Sequence, residues 1–212
     1  TLAAMVDHIN RSQKRHIITL EDPIEFVHQS HSALVNQREV GVHTQSFSRA
    51  LRAALRQDPD IVLVGELRDR ETIELALEVA NTGHLVFGTL HTATAMGTVD
   101  RIVDIFPSDQ QAQIRTTLAE VLRGVVSQAL CKRRGGGRVA AIEILRVNAA
   151  VGNLIRKANT AQIQSVMQTQ KAAGNRLLND ALQQLVREGK VDYDEAVSKS
   201  IDKDDLARRC GK

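Results

Sequence analysis

Aromatic residues are scarce in this sequence: they make up 2% of its 212 residues, and there is no tryptophan. Proteins that bind single-stranded nucleic acid use aromatic side chains on which the bases stack. The scarcity therefore counts against a nucleic-acid partner. Apolar residues at 42% and charged residues at 25% are typical of a globular protein, so we expect an aliphatic core.

Long apolar runs are also missing. No stretch approaches the ~20 apolar residues that cross a membrane, and none has the features of a signal peptide. The two cysteines, Cys131 and Cys210, lack the spacing of metal ligands and are typical of a reducing compartment. The sequence therefore predicts a cytoplasmic protein without a transmembrane segment.

Charge is distributed unevenly along the chain. Residues 1–130 carry 12 basic and 16 acidic side chains, whereas residues 131–212 carry 16 basic and 9 acidic ones. The change falls at the run KRRGGG, residues 132–137. A basic second half could face an acidic partner or a membrane surface, but such an excess is more often a solvated surface, which we favour.

The stretch QDPDIVLVGELRD, residues 57–69, contains the clearest strand. Its four apolar residues, 61–64, are too few for a helix and lie between a turn signal and Gly65, as in a strand buried on both faces. Glu66 follows at the carboxyl end, where ligands collect in open α/β sheets. This is the Walker B arrangement of nucleotide hydrolases, although strands also end in acids for capping or solubility.

A second acidic group follows another predicted strand. Residues 16–20, HIITL, lead directly into Glu21, Asp22 and Glu25. Three carboxylates within five residues repel one another unless a cation is near. We therefore favour a metal-linked or phosphate-linked role over a plain polar loop.

Two histidines flank the strand predicted at residues 85–90. Seven residues of strand span about 23 Å, so His84 and His91 cannot meet at one ligand within one chain. By the carboxyl-end rule, His91 belongs with Glu66 and His84 lies at the opposite edge. A lone histidine is more often structural, and His91 is the one we expect to be functional.

The order of predicted elements indicates an α/β fold. Ser46 offers an N-cap for a helix at 47–57, and Ser108 with Gln111 offers a capping box for the helix that follows. Residues 125–131 and 138–147 predict a β-hairpin or a pair of edge strands with a flexible connection, and short helices follow from Asn148. We expect a parallel sheet flanked by helices over 1–147 and a small helical subdomain over 148–212.

Four sequence blocks are similar to the secretion ATPase superfamily, and within it to the PilT-like ATPases of type IV pilus retraction in twitching motility. They occur in the family's order: ITLEDPIEF at 18–26, LVNQREVG at 34–41, ALRAALRQDPDIVLVGELRD at 50–69 and TGHLVFGTLHT at 82–92. The resemblance implies a RecA-like core and a homo-hexameric ring. It also implies hydrolysis of ATP with Mg²⁺, which powers pilus retraction together with an inner-membrane platform protein.

The resemblance also implies roles for single residues. Glu21, Asp22 and Glu25 fall in the family's acidic "Asp box", Glu66 is its Walker B glutamate, and His84 and His91 form its "His box". In this mechanism Glu66 activates the attacking water, Glu25 helps to hold Mg²⁺, and His91 senses the γ-phosphate. Three arginines are candidates for reaching phosphates, including those of a neighbouring subunit: Arg38, Arg52 and Arg56.

Three departures from the family pattern affect the prediction. No G-x-x-x-x-G-K-[ST] loop occurs, and in the family that loop directly precedes a helix like residues 1–5. We therefore expect the chain to begin just after the loop and, as given, to bind ATP very weakly and not to hydrolyse it. The retraction signature AIREGKT is replaced by LIRKANT at 154–160, which admits an accessory paralogue. The paired CxxC motif of type II secretion ATPases is absent, which argues against that branch.

Three functions are thus open from the sequence. The first is part of a pilus-retraction ATPase, and the second is a non-hydrolysing adaptor that docks onto a competent motor through its basic C-terminal helices. The third is a RecA-like nucleic-acid motor, which rests on the basic pI of about 9.1 and on fold analogy. The scarce aromatic residues weigh against the third.

Overall fold

The computed structural model describes all 212 residues, which form ten α-helices and six β-strands. Contacts divide the chain into two compact units, Thr1–His91 and Thr92–Lys212. This division differs from the boundary after residue 147 that composition favours. The hairpin strands of the second unit bury apolar side chains against the C-terminal helices, so the contacts group the hairpin with those helices.

The first unit is built on a parallel four-stranded sheet with the strand order β2-β1-β3-β4. The predicted α/β class is therefore confirmed, and the buried apolar strand β3 lies in the sheet's interior between β1 and β4. The strands are β1 (His16–Glu21), β2 (Leu34–Glu39), β3 (Ile61–Val64) and β4 (Leu85–Gly88). Strand β4 ends two residues before its predicted end.

Helices cover both faces of this sheet. Helix α1 (Leu2–Ser12) packs Val6 and Ile9 against one face, and α2 (Phe47–Ala54) and α3 (Arg70–Asn81) pack against the other. Alternate residues of a strand point to opposite faces, so β1 contributes Ile17 to the first layer and Ile18 to the second. This double burial explains why β3 is entirely apolar and why the four inner residues of β1 are buried.

Side-chain caps mark where helices of the first unit begin. Ser46 accepts a hydrogen bond from the backbone N–H of Arg49 at 3.2 Å, which confirms the predicted cap of α2. Asp69 caps α3 by accepting from the N–H of Thr72 at 2.8 Å. The α-helical part of α2 ends at Ala54 and continues as a 3₁₀ turn, Leu55–Gln57.

The second unit combines an antiparallel hairpin with seven helices. The predicted hairpin is confirmed, and its strands are β5 (Gly124–Lys132) and β6 (Arg138–Arg146). One hairpin face packs Cys131 and Ala141 against the C-terminal helices. The helices are α4 (Ala95–Asp104), α5 (Ser108–Val121), α6 (Ala149–Arg156), α7 (Ile163–Thr169), α8 (Leu178–Arg187), α9 (Tyr193–Lys199) and α10 (Lys203–Cys210). None of the helices of the chain is both long and apolar enough to cross a bilayer.

The predicted capping box of α5 is wrong. Ser108 is the first residue of the helix, the N-cap is Pro107, and no side chain caps the helix. The Gln111 amide instead donates to the backbone carbonyl of Phe106 at 3.1 Å. The preceding proline sets an extended backbone one residue earlier than the capping-box pattern requires.

A buried carboxylate joins two helices of the second unit to the hairpin. Glu143 on β6 is 6% exposed, and each of its oxygens accepts from a helix N-terminus. Oε1 accepts from the N–H of Ala95, the first residue of α4, at 2.8 Å, and Oε2 from that of Leu178, the first residue of α8, at 3.2 Å. A negative charge is favourable at both positive helix ends.

Candidate active site at the carboxyl edge of the parallel sheet

The predicted acids lie at one edge of the sheet of the first unit. Glu21 is the last residue of β1 and pairs in register with Glu39, the last residue of β2. Gly65 and Glu66 directly follow β3, and His91 follows β4 three residues after its end. Because all four strands are parallel and in register, their carboxyl ends share this edge. Ligands of open α/β sheets bind at such an edge.

Glu66 is the most enclosed of the predicted catalytic side chains, with 19% of its side chain exposed. Oε1 lies 3.0 Å from Nε2 of His91, and Oε2 lies 2.5 Å from Nε of Arg68. The two partners are exposed, His91 at 84% and Arg68 at 62% of the side chain. A sheltered carboxylate is thus held between two side chains that can rotate into solvent.

The backbone around Glu66 is fixed by the neighbouring strands. The N–H of Gly65 donates to the carbonyl of Leu20 at 2.7 Å, and that of Leu67 donates to the carbonyl of Thr89 at 2.9 Å. The Thr89 hydroxyl donates to the carbonyl of Gly65. A Cβ at position 65 would lie 3.0 Å from the Leu20 oxygen and 3.3 Å from Cα of Glu21. Glycine therefore lets the ends of β1 and β3 approach closely.

Glu21 is held by two donors on one of its oxygens. The Thr19 hydroxyl donates to Oε1 at 2.6 Å, and the Gln37 amide donates to the same oxygen at 3.0 Å. Oε2 of Glu21 takes part in no hydrogen bond or ion pair of the chain. One oxygen therefore anchors the carboxylate and the other remains available to a ligand.

Asp22 and Glu25 belong to an exposed loop after β1. Neither carboxylate forms a hydrogen bond or an ion pair with the chain. The backbone between them is anchored, because the N–H of Ile24 donates to Oε2 of Glu39 at 3.0 Å. The chain thus presents two unpaired carboxylates on a loop that is tied to β2.

The family of the chain is clear from comparison with known proteins. The family model described as type II/IV secretion system protein matches residues 1–198. The chain belongs to this family. The resemblance noted in the four sequence blocks is therefore confirmed.

Individual members of the type II/IV secretion family are very similar to the chain. The twitching motility protein of Neisseria gonorrhoeae is 57% identical over 192 residues, which are 90% of the chain and 51% of that protein. The type IV pilus retractation ATPase PilT of Pseudomonas aeruginosa is 54% identical over 200 residues, 94% of the chain and 58% of that protein. The chain spans about half the length of these relatives.

The fold is shared with a solved member of the family. The crystal structure of the pilus retraction motor PilT with bound ADP matches with a TM-score of 0.92 and 50% identity, covering 98% of this chain and 59% of that one. A match of this quality confirms the parallel sheet flanked by helices as the family's fold.

The structure keeps His84 apart from this edge. His84 precedes β4, at the amino edge of the parallel sheet, as the strand length predicted, so it does not join Glu66 and His91 within the chain. Its Nδ1 lies 3.1 Å from the carbonyl of Val79 and 3.1 Å from the hydroxyl of Thr82. These contacts tie it to the end of α3.

The three predicted phosphate-reaching arginines do not contact the carboxylates of the site. Arg38 donates to Oε1 of Gln57 at 2.7 Å, and Arg52 pairs with Glu71 at 2.9 Å. Arg56 is exposed and forms no hydrogen bond or ion pair. Within this chain the arginines lie on elements beside the site, and their proposed contact with phosphates stays a prediction.

The carboxylates fit a magnesium–nucleotide complex better than a metal site made of protein alone. No group of three or more His, Cys, Asp or Glu side chains is arranged to hold a metal ion. Mg²⁺ bound with nucleotides takes most ligands from phosphates and water and only one or two from carboxylates. The free oxygen of Glu21 and the unpaired Glu25 have the oxygen chemistry that this requires.

Sequence reasoning missed three side chains at this edge: Gln37, Glu39 and Arg68. Arg68 was visible only as a charged residue after Glu66, and its ion pair depends on the turn that follows β3. Gln37 and Glu39 lie two residues apart on β2, and only their pairing with Thr19 and Glu21 of β1 shows that they reach this edge. That register depends on strand pairing, which a single sequence does not specify.

Proposed function

We propose that the chain is the catalytic part of an ATPase whose hydrolysis of ATP powers type IV pilus retraction. The observation that carries the proposal is the sheltered Glu66 at the carboxyl end of the buried strand β3, paired with His91 beside Glu21. The names of the two similar proteins and of the solved motor support the same function.

In this proposal Glu66 orients the attacking water and accepts its proton. The water can approach the carboxylate most freely when one of its two partners is released. The exposure of His91 and Arg68 supports such a release, because few packing contacts oppose rotation of either side chain. His91, once free, is placed to donate to a γ-phosphate oxygen, so that nucleotide state and Glu66 freedom are linked.

Mg²⁺, when bound with the nucleotide, would supply positive charge that offsets the negative charge developing on the phosphates. In this chain Glu21 and Glu25 would hold the ion or its waters through their free oxygens, and Asp22 would add negative charge at the same loop. Glu21, Asp22 and Glu25 would therefore bind and orient the magnesium nucleotide, while Glu66 would accept the proton of the attacking water.

The proposal includes a homo-hexamer with nucleotide between subunits. In such a ring, a side chain that is idle within its own subunit can reach a neighbour's phosphates. In this arrangement Arg56 would bind phosphates of the nucleotide held by a neighbouring subunit, and Arg38 and Arg52 could do the same. We further propose that the ring is cytoplasmic and works against an inner-membrane pilus platform protein.

The test is Glu66→Gln in the full-length product of the gene that encodes this chain. Loss of the proton acceptor should lower the ATP turnover rate by about 100-fold or more and leave ATP affinity within about 3-fold. Turnover is measured by phosphate release and affinity by a fluorescent nucleotide. Glu74→Gln, at an exposed glutamate of α3 that forms no hydrogen bond or ion pair, is the matched control. Retained turnover in Glu66→Gln would remove Glu66 from this role.

A further inference from the structure

The side chain of Gln37 makes three hydrogen bonds, all to the region that carries the acids. Nε2 donates to Oε1 of Glu21 at 3.0 Å and to the backbone carbonyl of Phe26 at 2.9 Å. Oε1 of Gln37 accepts from the backbone N–H of His28 at 2.7 Å. Both ends of the amide are therefore used, and the orientation of the amide is set by its partners.

The register of β1 and β2 explains why this residue reaches both places. Gln37 pairs with Thr19, two residues before the pair formed by Glu39 and Glu21. Residues two apart share a face of a strand, so Gln37 and Glu39 lie on one face of β2. From this face, Glu39 accepts a hydrogen bond from the N–H of Ile24, within the segment that follows β1. Gln37 donates to the carbonyl of Phe26, just after that segment.

Packing contributes little to the order of this loop, because Phe26 is 54% and Val27 76% exposed. A loop with few buried contacts depends on its hydrogen bonds for a defined conformation. The bonds from Gln37 bracket Val27, holding the carbonyl before it and the N–H after it. Loss of Gln37 would therefore free the part of the loop next to Glu25.

We propose that Gln37 is a positioning residue for the acidic segment, residues 21–25. By donating to one oxygen of Glu21, Gln37 leaves the other oxygen free for a ligand. By its hydrogen bonds to Phe26 and His28, it fixes the position of the neighbouring Glu25. The inference rests on the proposed function, because the geometry has a catalytic meaning only if these carboxylates serve a magnesium nucleotide. Residues that orient ligands of a metal commonly affect affinity or activity by about 10- to 100-fold.

The first measurement uses the 212-residue chain and needs no catalysis. In Gln37→Leu, the amide of His28 loses its acceptor, so its hydrogen exchange should become about 10-fold faster or more. The amide of Ile24, which Glu39 holds, should change less. Gln113→Leu, a glutamine of α5 that is exposed and forms no hydrogen bond, is the control. Unchanged exchange at His28 would overturn the anchoring.

The second measurement uses the full-length gene product. Gln37→Leu should raise the Mg²⁺ concentration for half-maximal ATP turnover by about 10-fold or more and leave the KM for ATP at saturating Mg²⁺ within about 3-fold. A variant that was merely less stable would lose active fraction without this shift in Mg²⁺ dependence.

Gln37→Glu separates the two functions of the amide. It keeps an acceptor for His28 but replaces the amide donor to Glu21 and to the carbonyl of Phe26 with a second carboxylate, so it should show the same Mg²⁺ shift as Gln37→Leu. Wild-type Mg²⁺ dependence in Gln37→Glu would overturn the positioning of Glu21. A wild-type protein without any turnover would instead overturn the proposed function, and the exchange experiment would still decide whether the loop is anchored.

Discussion

At the scale of single residues, Glu66 is largely shielded from solvent, but both of its ion-pair partners are free to move. Its oxygens contact one histidine and one arginine, which are both more than half exposed. Ion pairs with exposed partners contribute little to stability because water and salt screen them. The pairing can therefore be exchanged for contacts with a ligand at low cost, which the proposed role of Glu66 requires.

A second carboxylate, Asp60, stabilises the fold at the other edge of the sheet. Oδ2 accepts from the backbone N–H of His16 at 2.8 Å, and Oδ1 accepts from Arg15 at 2.7 Å. The His16 hydrogen bond, followed by Arg15, lowers the pKa of Asp60 below its ordinary value. A lowered pKa stabilises the fold above the ordinary carboxyl pKa, and this stabilisation is lost as the pH falls through the lowered pKa.

We therefore expect Asp60→Asn to lower the free energy of unfolding at pH 7 by about 1 kcal/mol or less, since the carboxylate is partly exposed and screened. The difference from the wild type should shrink as the pH falls below about 4. Urea denaturation at pH 7 and at pH 3 measures both values. Asp58→Asn, two residues away at an exposed carboxylate without hydrogen bonds, is the control. A difference that persists at pH 3 would contradict the linkage.

Single residues were predictable where the chemistry depends on a strand end. Glu66 and His91 follow apolar runs whose direction alone assigns an edge, and the strand length alone separates His84 from them. Gln37 and Arg68 were not predictable in this way. Their roles depend on which strands pair, in which register, and on a turn conformation, all of which are set by tertiary contacts.

At the scale of elements, the hairpin strand β6 organises the second unit through Glu143. One buried carboxylate accepts from the first residues of two helices that are distant in sequence. The first backbone N–H groups of a helix have no partner within it. Glu143 therefore satisfies a donor of each helix and sets where both begin relative to the hairpin.

We expect Glu143→Gln to lower the free energy of unfolding by about 1–3 kcal/mol, because the amide NH₂ would face a backbone N–H in a buried site. Glu143→Ala should cost more, since it leaves both N–H groups unpaired. Urea denaturation measures the loss. Glu120→Gln, at an exposed position of α5 without side-chain contacts, should stay within about 0.5 kcal/mol of the wild type. If Glu143→Gln matched this control, the double-capping role would be wrong.

Helix and strand positions were largely predictable because apolar periodicity reports burial directly. Helix α3 has a local signal at each end, because the side chain of Asp69 caps its start and Gly83, with a φ of 102°, follows its end. Ends without such signals were less certain. The start of α5 was misjudged because a serine with a glutamine three residues later matches the capping pattern even when a proline already occupies the cap.

At the scale of the whole molecule, the two compact units carry net charges of opposite sign. The unit Thr1–His91 carries 9 basic and 12 acidic side chains, whereas Thr92–Lys212 carries 19 and 13. The change of sign was predictable by counting, but it falls at residues 132–137, within the second unit, so the charge pattern does not mark the division that the contacts give. Burial of Cys131 and Ala141 against distant helices links the hairpin to the C-terminus, and such long-range contacts leave no local pattern in the sequence.

We expect the 212-residue chain to show no saturable ATP binding in the micromolar range. The reason is that the glycine-rich loop and lysine, which cradle the phosphates of ATP in this class of enzymes, are not among its residues. The site of the chain supplies carboxylates, which bind ATP only through a cation. Isothermal titration with ATP and Mg²⁺ measures the affinity, and the full-length gene product is the reference. Micromolar affinity of the chain alone would show that other residues hold the phosphates.

The close approach at Gly65 has a consequence for how this edge can vary. A backbone contact of 2.7 Å joins Gly65 to the end of β1, and even a methyl group would press on that strand. The distance between the acidic turns after β1 and β3 is therefore set by the absence of a side chain at Gly65. Substitutions around the two turns can change which side chains line this edge, whereas the distance between the turns can change very little.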